Sequence, residues 1–177
     1  MLITCAVDKL VILWNVEERC PIKVFEHSDI VSCLSFHPLV DEFFATGCFD
    51  KMIRIWDLNE TKVADWVQTT DIITAMTFSP DKNHLLVGFY KGTVKIYRTD
   101  QGKLKFMMEI VCKNSFAWGK INKVGKKVTG IIFTEDYEFL VMTNDSRMRL
   151  IDMNTYETKM KYKGHTSGKY HIQPSYK

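Results

Sequence analysis

The 177-residue chain lacks the sequence features of several large protein classes. No apolar run approaches 18 residues, which argues against a transmembrane helix, and the first residues have neither the basic start nor the apolar segment expected of a secretory signal. The five cysteines are odd in number and contain no C-x-x-C pair. We therefore expect buried free thiols in a reducing compartment, with a disulfide or a metal site as the alternatives.

Metal-binding and helical patterns are missing as well. The five histidines show neither i, i+4 spacing nor a cysteine partner, so no metal site and no cofactor is predicted. Helical periodicity is absent throughout the sequence, which favours an all-β protein. Hydrophobic residues at 46% and aromatic residues at 12% are enough for a sizeable core, and the net charge of +3 is modest.

One short phrase recurs four times along the chain. A second phrase, built around a phenylalanine at positions 36, 78 and 133, keeps step with it. Two markers that share a period of about 40 residues predict one supersecondary unit repeated in tandem. The first phrase reads DKLVILW from residue 8, DKMIRIW from residue 50, KGTVKIY from residue 91 and DSRMRLI from residue 145, at steps of 42, 41 and 54 residues.

The second unit shows how each repeat is expected to fold. Short segments at 31–36, 42–46, 52–56 and 62–66 are rich in β-branched and aromatic residues and are separated by Gly, Pro, Asn or Asp. Four such segments predict an antiparallel four-stranded meander. Because its apolar faces cannot be buried alone, we expect the copies to stack around an axis as the blades of a β-propeller.

These residues resemble the WD-repeat family, whose units open with Gly-His and close their third strand with Trp-Asp. Trp-Asp at 56–57 matches fully, Trp-Asn at 14–15 matches closely, and Gly-His at 164–165 would open a further unit. The dipeptides at 97–98 and 151–152 are degenerate. The resemblance implies a WD-repeat propeller that serves as a protein-interaction scaffold.

A buried tetrad of side chains ties the blades of this family together, and the second unit can supply all four members. The resemblance implies that His27 hydrogen-bonds Asp50 in the turn, with Thr46 and Trp56 completing the network. Weaker anchoring is expected in other units, since Lys91 stands where Asp is usual. A catalytic triad would need an exposed nucleophile beside an oxyanion site, whereas this register buries Thr46 inside a strand, so no enzyme is predicted.

Longer segments carry a closer resemblance over nearly the whole chain. EHSDIVSCLSFHP, NKVGKKVTGI, LVMTNDSRMRLIDM and MKYKGHT are similar to the propellers of WD-repeat proteins that act as Rab-GTPase effectors in vesicle traffic. The resemblance implies a cytoplasmic protein that is peripheral on endosomal or Golgi membranes. A Rab GTPase would be bound by segments outside this chain, so no residue is assigned to that contact.

The repeats predict a single partial propeller domain over 1–177, about four four-stranded blades. We expect an open arc of a seven-bladed ring; the alternative is a closed four-bladed ring in which a strand at 170–173 completes the first sheet. The predicted parts are a partial blade at 1–26, blades at 27–66, 67–110 and 128–162, an inserted loop at 111–127, and the start of a further blade at 163–177.

The inserted loop is the main irregularity of the repeat and is strongly basic. In a propeller it would emerge on the same face as the turns that hold the first residue of each recurring phrase, which predicts a basic rim there. The candidate partner-binding residues are Lys51, Lys91, Lys113, Phe116, Trp118, Lys120, Lys123, Lys126, Lys127 and Arg147.

Three readings of this rim remain open. It is a solvated insertion, a site for an acidic protein segment, or a site for phosphoinositide and other anionic lipid headgroups. Nucleic acid is not expected, because no broad basic stripe or stacking platform is visible. Non-catalytic protein binding is the predicted function, and binding to an acidic membrane surface through the basic loop is the alternative.

Overall fold

The structure, a computed structural model, describes residues 1–38, 43–60, 62–100, 102–112, 126–134, 137–166, 172, 174 and 175. These residues form strands joined by turns, and no helix occurs among them. The strands are β1 (Leu2–Cys5), β2 (Leu10–Asn15), β3 (Cys20–Glu26), β4 (Val31–Phe36), β5 (Phe43–Cys48), β6 (Met52–Asp57), β7 (Val63–Gln68), β8 (Ile73–Phe78), β9 (His84–Phe89), β10 (Thr93–Asp100), β11 (Lys103–Val111), β12 (Val128–Phe133), β13 (Glu138–Thr143), β14 (Arg147–Asp152) and β15 (Thr158–Lys163).

The strands assemble into four antiparallel sheets that follow chain order. Sheet 1 contains β1, β2 and β3, sheet 2 runs from β4 to β7, sheet 3 from β8 to β11, and sheet 4 from β12 to β15. The predicted all-β architecture of stacked antiparallel blades, a partial β-propeller, is confirmed, with four strands in sheets 2, 3 and 4 and three described strands in sheet 1. Among the described residues no helix could span a membrane.

Burial within each sheet follows the position of the strand. The second strands β5, β9 and β13 are buried on both faces over almost their whole length. The outermost strands are far more exposed, and β15 is exposed at every residue. Strands buried on both sides have near-continuous apolar sequences, which explains why the second strands do not alternate between apolar and polar residues.

Three apolar clusters lie at the boundaries between neighbouring sheets. One joins sheets 1 and 2 through Phe25, Phe44 and Trp56. The second joins sheets 2 and 3, and the third, which includes Val128 and Phe139, joins sheets 3 and 4. The core is therefore divided between the blade boundaries.

Bulges at the start of β4 and β8, the first strands of sheets 2 and 3, add polar links between sheets. Ser32, at the bulge of β4, donates its hydroxyl to the Ile73 carbonyl of sheet 3 at 2.7 Å. Thr74, at the bulge of β8, donates to the Val128 carbonyl of sheet 4 at 2.6 Å. Thr129 occupies the same bulge in β12, and its buried hydroxyl has no hydrogen-bond partner in the described part of the chain.

Two glycines allow the sheets to approach closely. A Cβ on Gly47 would lie 2.5 Å from Ile73 Cγ2, and one on Gly88 would lie 2.5 Å from Val128 Cγ1. This contact also explains a difference from the strand expected at 42–46. The strand continues through Gly47 to Cys48, because the glycine packs against the next sheet instead of ending the strand.

We predict that Gly88→Ala destabilises the chain by about 1–3 kcal/mol, because the new methyl group overpacks a site next to the branching carbon of Val128. Urea unfolding measures the change. The control Lys105→Ala lies on the exposed side of β11 and should change stability by less than about 0.5 kcal/mol. Equal stability of Gly88→Ala and wild type would contradict the close packing of sheets 3 and 4.

Candidate interaction surface

A hydrogen-bonded group in sheet 2 links β6, β5 and the segment that follows β3. Trp56 Nε1 donates to Thr46 Oγ1 at 3.0 Å, and Thr46 Oγ1 lies 2.9 Å from His27 Nε2. His27 Nδ1 lies 3.2 Å from the Phe25 carbonyl oxygen, which accepts its proton. Burial lowers the pKa of His27, so the ring is neutral at pH 7 and Nε2 accepts from the threonine hydroxyl.

The fourth predicted member of the group, Asp50, has different partners. No hydrogen bond joins His27 to Asp50 among the described contacts, so that predicted bond is wrong. Asp50 Oδ2 instead accepts from Arg54 Nη2 at 2.6 Å and from the hydroxyl of Ser28, while Oδ1 accepts from Met52 N at 2.9 Å. The guanidinium of Arg54 is the stronger donor, because a charged donor to a carboxylate forms the stronger hydrogen bond.

The electrostatics of Asp50 reflect these contacts. Desolvation by burial raises the pKa of its carboxyl, but the hydrogen bonds from Arg54, Ser28 and Met52 together outweigh burial and lower the pKa to about 2. The carboxylate and the guanidinium are both more than four-fifths buried. The sequence interpretation missed Arg54. The signal was the fifth position of the recurring phrase, which holds Arg54 in the second copy and Arg149 in the fourth.

The other sheets keep only parts of this group. In sheet 1 Trp14 Nε1 donates to Thr4 Oγ1 at 2.8 Å. Sheets 3 and 4 have Val87 and Val141 in the register position of Thr46, so no hydroxyl is available there. Sheet 4 instead buries Arg149, whose Nη1 donates to Thr143 Oγ1 at 2.7 Å.

The turns between the second and third strands lie at the same end of the sheets as the connections between sheets. Asn144 N donates to the Lys127 carbonyl at 2.9 Å, and Thr69 N donates to the Lys51 carbonyl at 2.8 Å. We call this surface the turn face. It consists of residues 7–9, 49–51, 90–92 and 144–146 together with residues 126 and 127.

The predicted partner-binding residues divide into two groups. Lys51, Lys91 and Lys126 are exposed on the turn face, and Lys127 is half-buried there. Arg147 begins β14 at the edge of the turn face, with Nε 3.9 Å from Asp145 Oδ2. Lys113, Phe116, Trp118, Lys120 and Lys123 lie outside the described residues.

Exposed apolar side chains accompany these lysines and were missed by the sequence interpretation. Val7 is 73% exposed, Phe49 is 40% exposed and Tyr90 is 55% exposed. Each directly precedes the first residue of the recurring phrase, so the three occupy the same position in three successive turns. That fixed position was the signal in the sequence. Large apolar residues that recur in the turns, and not inside the strands, are expected to be exposed.

The described residues contain no group of three His, Cys, Asp or Glu side chains that could hold a metal ion. The cysteines are unpaired, and desolvation by burial raises the pKa of Cys33 to about 12 and that of Cys112 to about 11. Such thiols remain protonated at neutral pH and are poor nucleophiles.

Comparison with known proteins identifies the repeat. The family model described as WD domain, G-beta repeat matches residues 19–57 and 62–98. WD repeat-containing protein 44 of Xenopus laevis is 35% identical over 99% of this chain and 19% of its own length.

Two fungal proteins are similar as well. An uncharacterized WD repeat-containing protein of Schizosaccharomyces pombe is 30% identical over 90% of this chain and 28% of its own length. The 2-deoxy-glucose resistant protein 2 of Saccharomyces cerevisiae is 31% identical over 94% of this chain and 22% of its own length. The chain thus spans between about a fifth and somewhat over a quarter of these relatives.

Trp56→Ala should lower the free energy of unfolding by about 3–5 kcal/mol, because it removes a buried ring together with the hydrogen bond to Thr46. Trp66→Ala is the matched control, since Trp66 is 57% exposed on β7. Thermal and urea unfolding would measure both variants. A Trp56→Ala protein that melts with the control would show that the ring is not part of the core.

Acid unfolding should reveal the ion pair of Asp50 and Arg54. Because folding lowers the pKa of Asp50 from 3.8 to about 2, its stabilising effect is complete above about pH 4 and is lost as the pH falls toward 2. Asp50→Asn should therefore be less stable than wild type at pH 7, with the difference shrinking between pH 4 and pH 2. The control is Asp8→Asn in the equivalent turn of sheet 1, where Ile12 replaces the arginine. A stability difference that stays constant over this pH range would contradict the pairing.

Proposed function

This chain belongs to the WD-repeat family, and on that premise we propose that it is a non-catalytic scaffold that binds a protein partner on its turn face. WD-repeat proteins act as protein-interaction scaffolds. Their stacked sheets form a rigid frame, and the turns at its ends are free to contact other molecules.

The observation that carries the proposal is the repeated pairing of an exposed apolar side chain with a lysine. Phe49 lies two residues before Lys51, and Tyr90 directly precedes Lys91. Val7 lies two residues before Lys9, whose Nζ donates to the Ser28 carbonyl at 3.1 Å. Large exposed aromatic side chains are typical of the residues that dominate protein interfaces, and the lysines beside them supply charge for an acidic partner.

The charges of this surface favour an acidic partner. The ammonium groups of Lys51 and Lys91 have neither a hydrogen-bond nor an ion-pair partner among the described residues. The acidic side chains nearby are engaged within the chain, as Asp71 Oδ2 accepts from Lys91 N at 2.8 Å and Asp50 pairs with Arg54. Asp71 keeps its negative charge, so the ammonium groups of Lys51 and Lys91 act as individual ion-pair partners for acidic groups within a Debye length of about 8–10 Å at ordinary salt.

The cellular role follows from the closer resemblance. We propose that the protein containing this chain is a Rab-GTPase effector in vesicle traffic, cytoplasmic and peripheral on endosomal or Golgi membranes. Its similarity to WD repeat-containing protein 44 over nearly the whole chain supports this placement. The GTPase would contact segments outside these 177 residues, and the turn face would recruit a further protein.

Paired variants on two different surfaces test the scaffold. The turn-face variant combines Phe49→Ser, Lys51→Glu and Tyr90→Ser. The control combines Phe106→Ser and Lys105→Glu on the exposed outer strand β11. Affinity capture from cells of the source organism, quantified by mass spectrometry, should show partners at least tenfold depleted by the turn-face variant and retained by the control.

Anionic vesicles containing phosphatidylserine and phosphatidylinositol phosphates separate the lipid alternative from the protein proposal. Captured proteins that are equally abundant with wild type and with the turn-face variant would contradict protein binding at this face. Loss of vesicle binding in the same variant, without loss of protein partners, would favour a membrane surface. Charge reversal of Lys126 and Lys127 should weaken either interaction at low salt, since both lysines flank the same face.

A further inference from the structure

A cavity of about 470 Å³ lies between sheets 2 and 3 at the end opposite to the turn face. Its floor is apolar and is formed by Phe43, Ile55 and Phe78, while Lys82, Asn83 and Asp100 line its polar rim. This volume falls within the range of about 300–1,000 Å³ that is usual for ligand sites.

The other boundaries between sheets are filled at the corresponding position. Trp56 of sheet 2, Tyr97 of sheet 3 and Ile151 of sheet 4 share one position on the third strand. The residue two places later is Leu58 in sheet 2 and Met153 in sheet 4, and both are buried in the clusters at their boundaries. In sheet 3 that residue is Thr99, which donates its hydroxyl to the Lys82 carbonyl at 2.8 Å. A small polar side chain thus replaces a large apolar one at this boundary.

A second substitution enlarges the same gap. In the turn between the first two strands, Asn83 of sheet 3 and Tyr137 of sheet 4 hold the same position, because the Asn83 carbonyl accepts from Thr99 N as the Tyr137 carbonyl accepts from Met153 N. Tyr137 packs against the cluster between sheets 3 and 4 and donates its hydroxyl to Asp81 Oδ2 at 2.6 Å. Asn83 provides no ring for the boundary between sheets 2 and 3.

We propose that this cavity is a second binding site, which accepts one bulky apolar side chain of a partner peptide: leucine, methionine or an aromatic residue. The chain's own Leu58, Met153 and Tyr137 occupy the equivalent spaces at the neighbouring boundaries, which defines the chemistry of the occupant. Lys82, Asn83 and Asp100 at the rim supply charged and amide groups for the peptide backbone and for polar residues flanking the anchor.

The walls of the cavity are held in place without an occupant. His37 Nε2 lies 3.2 Å from the Lys82 carbonyl oxygen and links sheet 2 to sheet 3, and its ring packs edge-on against Phe78 with centroids 5.0 Å apart. Thr99 N donates to the Asn83 carbonyl at 2.7 Å. A site with preformed walls binds an anchor side chain without an ordering cost of its own.

Nuclear magnetic resonance titration of the chain with N-acetyl-tyrosinamide and N-acetyl-methioninamide tests the site, with N-acetyl-glycinamide as the negative probe. The first two probes should cause saturable shifts of the amide signals of Lys82, Asn83 and Thr99. Thr99→Met should weaken this binding at least tenfold, because it restores the side chain found at Met153. Arg98→Met is the matched control on the adjacent exposed position and should bind as wild type does.

Asn83→Tyr provides an independent variant that fills the cavity as Tyr137 fills its own boundary, and thermal melting shows that each variant is folded. Unchanged binding by both filled variants, or no saturable shift in wild type, would overturn the site. Short random peptides displayed on phage, selected on wild type and counter-selected on Thr99→Met, should share one bulky apolar residue. Recovery of no such peptides would overturn the assignment of a peptide as the occupant.

Discussion

Face-to-face packing between neighbouring sheets is the interaction on which this structure depends. Gly47 and Gly88 have no side chain to hold the sheets apart. The hydroxyls of Ser32 and Thr74 at the bulges can therefore reach carbonyl groups of the next sheet. Each fully buried aliphatic or aromatic side chain at these boundaries contributes about 1.5–3 kcal/mol relative to exposure. The polar links add specificity of register, since a slip of one residue would leave buried hydroxyls without acceptors.

Most of the fold could be predicted from the repeat period of the sequence. Because every unit must present the same faces to its neighbours, Trp56 and its counterparts recur at matching positions, and the strands and the stacking of sheets could be predicted from that recurrence. The family was indicated by a resemblance, carried by the Trp-Asp and Gly-His dipeptides and by longer segments. The partner of Asp50 could not be predicted in the same way. Asp50 binds Arg54 and not His27 because the guanidinium is the donor that reaches its carboxylate. The spacing of the residues in the sequence is compatible with either donor.

The surfaces were harder to predict than the core for a related reason. The repeat pattern is defined by what the copies share, whereas the candidate binding surfaces depend on residues that differ between copies or lie outside the strands. Thr99 and Asn83 are ordinary polar residues, and they become informative only because Met153 and Tyr137 occupy the same two positions one unit later. Phe49 and Tyr90 gain meaning once the turns are known to share a face. The two ends of the sheets thus differ, since one has exposed aromatic side chains beside lysines and the other has an apolar cavity.

The most direct test of the packing between sheets is a nuclear Overhauser experiment on the isotope-labelled chain. Close packing of the sheets predicts strong cross-peaks from the α-protons of Gly47 to the methyl groups of Ile73 and from those of Gly88 to the methyl groups of Val128. Cross-peaks confined to pairs within single sheets, with none between these residues, would contradict the stacked arrangement from which the surfaces, the cavity and the proposed partners all follow.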